Sequence, residues 1–174
     1  MTDKAPSEIT NLDRYGNSEL SWSRPHDLLS ARPSQIDLTF FLGTTGPDGR
    51  PHAAPFGALW YDGDLYLVSG PETRKSRNLA KNPACTVSVK LKGIDLVLEG
   101  EARRVVDQPT LERLAQLYRE DGWPVEVQGD AFMAPYSAPS AGPPPWYLYR
   151  FVFHTAFGVA TAEPFGATRW RFER

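Results

Sequence analysis

The stretch Gly49–Asn82, GRPHAAPFGALWYDGDLYLVSGPETRKSRNLAKN, decides how the rest of the chain is read. Pro51 to Trp60 is expected to be a strand. Asp62-Gly63 marks a tight hairpin, because both central positions of such a turn favour positive φ. Asp64 to Ser69 returns as a second short strand with Leu65 and Leu67 on one face. Gly70-Pro71 breaks that strand and Thr73 opens a helix. The helix must stop near Asn82, because Pro83 disfavours helical torsions at the residue before it.

That helix opens with cations where a helix prefers acids. Arg74 and Lys75 stand in the first turn and Arg77 follows. The first turn has unpaired N–H groups and partial positive charge, so two cations there are mildly unfavourable unless something negative joins them. Two readings stay open. In one, this is a solvated basic helix start, capped by Thr73 and offset by Glu72. In the other, a bound phosphate satisfies the N–H groups, the hydroxyl and both cations together.

The flanking chain reads as scaffold. Residues 1–21 are polar and aperiodic, an arm that is mobile or draped on the surface. Ser23 to Ala31 suits a short helix, with Ser23 as cap, Pro25 in the first turn and Leu28 and Leu29 inward. Asp37 to Thr45 is the first strand, turned back by Gly46-Pro47-Asp48-Gly49. From Ala84 to Lys92 the pattern alternates: Cys85, Val87, Val89 and Leu91 against Thr86, Ser88, Lys90 and Lys92, which is a half-buried strand. Ile94 to Val106 continues it after a Lys92-Gly93 turn, with Gly100 relieving curvature. Asp107 to Asp121 is the clearest helix, with Leu111, Leu114, Ala115 and Tyr118 on one face and Gly122 at its end. Residues 123–145 have no usable period and read as a lid or insert. Trp146 to Ala162 is a long aromatic strand with Tyr147, Tyr149, Phe151, Phe153 and Phe157 on one face, and Thr168 to Phe172 closes the sheet. The tally is mostly β with minor α, in one domain over residues 1–174. No strand–helix–strand rhythm suggests a doubly wound parallel sheet, whereas an antiparallel barrel fits.

Composition narrows the function classes. A net charge of −2 leaves no basic field of the size nucleic-acid binding needs. No apolar run approaches the roughly 20 residues that span a bilayer. No apolar leader follows MTDKAPSEIT, and a lone Cys85 cannot form an internal disulfide, so a cytoplasmic setting is expected. His26, His52 and His154 are too scattered to imply a metal site, and none is expected. Cys85 reads as core, and Glu99 with Glu101 as a solvated outward pair. Trp60 reads equally as core or as packing near a cofactor ring.

The ordered set G-R-P strand, D-G hairpin, strand ending V-S, and T-R-K-x-R-N-L-x-x-N-P resembles the flavoproteins of the pyridoxamine 5'-phosphate oxidase-like superfamily. The likeness runs from about Leu38 to Val106, and Ala167–Phe172 resembles the tail of one of its branches. The resemblance implies an antiparallel split β-barrel of about six strands with small peripheral helices. It also implies a homodimer with FMN, or the deazaflavin coenzyme F-420, at its interface. Backbone at Pro55, Phe56, Gly57, Ala58 and Leu59 would line the ring. Val68, Ser69, Thr73, Arg74 and Lys75 would meet the ribityl chain and phosphate, and Trp170 would lie near the cofactor. Ala54 and Leu59 stand where true vitamin B6 oxidases have Arg and Lys, which argues against that activity. No catalytic side chain is needed, because a flavin supplies its own hydride chemistry. Trp60, Phe132 and Tyr136 are the candidate substrate pocket, the last two within a lid over the cofactor's open face. The function implied is hydride transfer to or from a small conjugated substrate. The alternative is a non-catalytic flavin, haem or small-ligand binder on the same fold.

Overall fold

A computed structural model of the chain describes residues 4–31, 38–139 and 141–173. In chain order the first elements are β1 (Glu8–Asn11), α1 (Ser23–Ser30), β2 (Phe40–Thr45), β3 (Pro51–Phe56), β4 (Leu59–Tyr61), β5 (Asp64–Ser69) and α2 (Arg74–Lys81). There follow β6 (Ala84–Leu91), β7 (Ile94–Arg104), α3 (Gln108–Glu120), β8 (Glu126–Gln128), β9 (Ala131–Met133), β10 (Tyr147–Ala160) and β11 (Ala167–Arg171). All strand pairs are antiparallel. The main sheet runs β1-β11-β10-β7-β6-β2-β3, with β5 also on β10 and β4 on β5, and β8 pairs with β9 alone. The chain is mostly β with minor helices, as the alternation predicts. Among the described residues its strands number eleven rather than about six, because short pieces with little sequence signal also pair.

The hairpin at Asp62-Gly63 forms as its residues dictate. Asp62 has φ 49° and Gly63 φ 80°, the left-handed pair that a two-residue turn needs to match the strand twist. The expected strand Pro51–Trp60 is divided. Its first part is β3, which pairs with β2, and its last part is β4, which pairs with β5. Gly57-Ala58 carries the chain between them. Among the described residues β3 has β2 as its sole partner, so its other edge keeps free backbone groups. Of the expected first strand, the start at Asp37 lies outside the described residues and the paired part begins at Phe40.

Two clusters form the core. Leu42, Val87, Leu98, Leu65, Leu67 and Phe151 fill the concave side of the main sheet. Leu111, Leu114 and Ala115 of α3 press against Phe132, Trp146 and Leu148 to make the second. β5 and the start of β10 lie between the two clusters and are buried on both faces, which is why LYLV in β5 reads as a continuous apolar run. Residues 8–11 of the expected arm are β1, an edge strand wet on both sides. Its Glu8 meets Arg169 and Arg171 of β11 at 3.4 and 3.3 Å. In α1, Trp22 rather than Ser23 occupies the cap position.

The long aromatic strand contains a phase change. The β10–β7 register shifts between Phe153 and Thr155, so His154 is an extra residue. Tyr149, Phe151 and Phe153 face the main core; beyond the bulge Ala156 and Gly158 do, and Phe157 turns to the outer face. Gly100 sits where β7 meets this bulge. A Cβ there would lie 2.2 Å from the Val152 carbonyl oxygen and 2.7 Å from the Phe153 Cα.

Candidate functional site

The start of α2 is a built structure. Thr73 is the N-cap, with extended torsions, and its Oγ1 accepts from the Ser76 N–H at 3.3 Å. The Ser69, Thr73 and Ser76 hydroxyls lie 2.7, 3.1 and 3.0 Å apart in a closed ring. Those hydroxyls are engaged with one another, and Ser69 is fully buried. Their place in this chain is to fix the helix entry. Val68 is half-buried, with its side chain against the second core cluster. The two residues expected at the ribityl chain therefore point their side chains into the protein.

The cations differ from each other. Arg74 is exposed, whereas Lys75 is only 6% exposed. No hydrogen bond or ion pair engages the Lys75 ammonium among the described residues. Burial pushes its pKa below the ordinary lysine value. Other cations on this face of the fold have carboxylate partners. Arg150 and Lys4 both bind the fully buried Asp64, Arg150 at 2.5 Å. Arg104 binds Asp130 at 2.7 Å and Arg103 binds Glu101 at 2.9 Å. The Lys75 stem is buried while its Nζ is not among the buried side-chain nitrogens, so a partly desolvated ammonium reaches the surface without a partner. A cleft of about 400 Å³ runs along α2, lined by Pro47, Arg74, Arg77, Asn78, Ala80 and Lys81 and not by Lys75.

The free edge of β3 begins next to this helix start. Thr44 of β2 is the register partner of His52 on β3, and its hydroxyl accepts from the Asn78 Nδ2 of α2 at 3.0 Å. From His52 the edge runs through Ala53, Ala54 and Pro55 to the Gly57-Ala58 gap. Pro55 and Gly57 are exposed, and nothing lies within 4 Å of a Cβ built on Gly57. Phe56 turns inward onto Phe40, and Leu59 is buried in the second cluster. Ala58 is half-buried against the main core. Of the residues expected to line the ring, Pro55, Gly57 and Ala58 thus have accessible surface, and Phe56 and Leu59 would contribute backbone alone.

Three expected site residues lie in the core instead. Trp170 is fully buried, T-stacked on Trp22 at 5.4 Å, and its indole N–H donates to the Leu20 carbonyl at 3.1 Å. Trp60 is 9% exposed and packs on His26 and Phe153. Phe132 is fully buried, edge-on to Tyr118 at 5.9 Å, and its backbone bridges Trp146 in both directions. Each ring sits where a large side chain closes a gap between layers. Tyr136 does remain on the surface, 40% exposed against Trp146. The described part of 123–145, residues 123–139 and 141–145, is more regular than an irregular lid. β8 and β9 make a small hairpin, and Ala138 bridges Gly142. Ala141 comes down on the turn before α2, where a Cβ on Gly70 would stand 2.2 Å from the Ala141 carbonyl oxygen.

One residue of this site was weighed from sequence only as a metal ligand. His52 is half-buried, and its Nδ1 is shut from solvent without a partner. Burial, then Arg74 and Lys75, lower its pKa. Its signal in the sequence is position: it precedes Ala54 and Phe56 on the same face of β3. No group of three or more potential metal ligands occurs among the described residues, and no helix is long and apolar enough to cross a membrane.

Residues 35–141 match the family model described as pyridoxamine 5'-phosphate oxidase. No curated protein matches the chain. Among solved structures, an F-420 reductase is 22% identical with a TM-score of 0.52, over 75% of this chain and 94% of that one. A FAD-binding protein from Mesorhizobium loti is 20% identical with a TM-score of 0.55, over 87% and 95%. A conserved hypothetical protein from Mycobacterium tuberculosis is 18% identical with a TM-score of 0.58, over 91% and 89%. At these identities the likeness is one of fold.

Proposed function

The chain belongs to the pyridoxamine 5'-phosphate oxidase family, and on that premise we propose that it is a single-domain oxidoreductase using a flavin or deazaflavin, FMN or F-420. The cofactor phosphate meets Arg74 and Lys75 at the start of α2, and its ring follows the free edge of β3 toward Gly57. Lys75 carries this reading. A lysine whose stem is buried while its ammonium opens to the surface without a partner among the described residues, beside unpaired helix N–H groups, fits an anion that the protein itself does not supply. The names of similar structures, an F-420 reductase and a FAD-binding protein, support the same cofactor class.

When bound, the cofactor supplies hydride chemistry that no side chain here could provide. The protein's part is to bind, orient and shield. Lys75 and Arg74 anchor one end of the ligand, the backbone from Pro55 to Ala58 meets the other, and Tyr136 borders the side left for a small conjugated substrate. Ala54 and Leu59 leave out two charges that a vitamin B6 phosphate substrate would want, so that reaction is not proposed. The chain works as a homodimer. Pro55, Phe41, Ser88, Val97 and Phe157 stand in one cross-strand row. In that row Phe41 is 48% and Val97 37% exposed. An apolar row continuous with the β3 edge suits a self-complementary face that also walls the cofactor groove.

The test is mass spectrometry of the ligand released from purified protein, followed by turnover with a panel of small acceptors. A flavin or deazaflavin with multiple turnovers is the expected result. A bound flavin without turnover would leave a ligand-binding protein. Failure of FMN and of F-420 to bind would end the proposal.

A further inference from the structure

His52 stands at the one end of β3 where charges converge. Arg74 reaches over the β2–β3 turn, its Nη2 3.9 Å from where a Cβ on Gly46 would be. Lys75 lies one residue further along α2, and both fields reach the imidazole. The Asp48 Oδ1 stands 3.0 Å from the same Gly46 Cβ point, on the Arg74 side, and among the described residues no carboxylate counters the two cations at the imidazole. β2, with the sequence FFLGTT, offers uncharged Thr44 opposite His52. In the turn, Asp48 and Arg50 are exposed and 3.5 Å from each other. The Nδ1 of His52 is walled off, while its Nε2 is open and has no partner among the described residues.

We propose that His52 donates a third hydrogen bond, through Nε2, to the phosphate that Arg74 and Lys75 hold, and takes up a proton as that anion binds. This rests on the phosphate placement proposed above and adds which side chain couples it to pH. In the free protein, burial and two cations disfavour the imidazolium, so the ring is neutral near pH 7. A bound phosphate monoester, dianionic at that pH, cancels the cations' field and offers an oxygen to Nε2–H. The titration midpoint of His52 is therefore low in the free protein and higher in the complex. By linkage, this contribution to affinity is full below the free-state midpoint and is lost as pH rises through the bound-state midpoint. Phosphate carries its own second ionisation near pH ~6, so the imidazole itself must be read.

The experiment is an NMR titration of the histidine side chains with pH, the His52 signal being assigned by its loss in His52→Gln. It is run in chloride, in inorganic phosphate at equal ionic strength, and with FMN. FMN and riboflavin affinities of wild type and His52→Gln are read in parallel by flavin fluorescence at pH 6.5 and 8.5, settings chosen on either side of ~7. The expected result is an upward move of the His52 midpoint with phosphate and with FMN. His52→Gln should bind FMN roughly tenfold more weakly at the lower pH, with a smaller loss at the higher pH and riboflavin unaffected. A His52 midpoint that phosphate moves while FMN fails to bind would sustain the anion role and overturn the flavin assignment. A midpoint that stays put with phosphate, or in a protein that fluorescence shows to be loaded with FMN, overturns the role of His52 and leaves the flavin assignment standing or falling on the fluorescence alone.

Discussion

Removing the charge of Lys75 while keeping its bulk should separate recognition of the phosphate from recognition of the ring. Alanine is the wrong probe for stability. It deletes buried methylenes worth about 0.8 kcal/mol each, and that loss would mask the gain from losing a buried charge. Lys75→Met keeps most of the stem. In the free protein Lys75 is 6% exposed as a residue, its ammonium is unpaired among the described residues, and partial burial lowers its pKa. A lysine with a lowered folded-state pKa destabilises the fold at every pH below that value. The cost fades as pH rises through it toward the ordinary 10.5. Lys75→Met should therefore leave the apoprotein as stable or more stable at pH 7, by thermal or urea unfolding. With the ligand the sign reverses. A charge-assisted hydrogen bond contributes about 1.5–3 kcal/mol, so FMN should bind the variant roughly tenfold to a hundredfold more weakly. Riboflavin shares the ring and lacks the phosphate, so it should bind both proteins alike. Fluorescence quenching of each flavin by each apoprotein reads all four affinities. If neither flavin binds wild type, F-420 takes FMN's place in the comparison. Equal affinity of the two proteins for the phosphorylated ligand would refute the placement of the phosphate, and with it the direction in which the cofactor is laid along β3.

Gly100→Ala should cost at least ~2 kcal/mol in urea unfolding, because its Cβ would meet backbone at 2.2 Å and overpacked backbone cannot yield cheaply. Gly57→Ala, placed in open space, should leave stability unchanged and weaken flavin binding if a ring approaches that backbone. Phe132→Ala should destabilise by about 3–5 kcal/mol as a core truncation, whereas Tyr136→Ala should spare stability and raise the KM for an acceptor. In light scattering the protein should run at twice the 19.4 kDa chain mass, and Phe41→Lys should shift it toward the monomer; a wild-type monomer at micromolar concentration would sink the dimer.

The parts of the fold that were legible are those where one residue type forces one conformation or one face is buried. Asp62-Gly63 had to turn, Pro83 had to end α2, and β6 alternates because its outer face is wet. What was hidden has equally physical reasons. β1 is wet on both faces, so its polar residues have no period to show. β8 and β9 are three residues each, too short for an alternation to register. The division of Pro51–Trp60 leaves no mark but Gly57, since a strand that changes partners keeps the same local torsions and the same kind of residue. In β10, apolar residues at 147, 149, 151, 153 and 157 suggest one face, yet His154 inserts a residue and reverses the phase. The sequence does contain a trace of that bulge, in the partner strand rather than the bulged one: Gly100 is where β7 makes room.

At the site, charge was more informative than size. A tryptophan or phenylalanine is large wherever it stands, and only the second core layer, built by α3, decides that Phe132 seals a gap rather than lining a pocket. Trp170 likewise lies between Leu20 and Gly158, residues 150 and 12 positions away, a neighbourhood that no local pattern encodes. Lys75 is different, because its misfit is local. A cation in the first turn of a helix opposes the dipole whatever packs around it, and only burial had to be learned from the fold. Burial makes the misfit sharper: an exposed Arg74 is fully solvated, whereas Lys75, 6% exposed as a residue, has part of its hydration stripped. His52 lies between these cases. Its identity was plain, but an imidazole becomes informative only once its neighbours are known. The neighbours that matter, Arg74 and Lys75, come from a helix that begins 22 residues later. Three groups of like charge or potential charge, brought to one end of an open strand edge with Asp48 alone near Arg74, are what the proposed anion would answer.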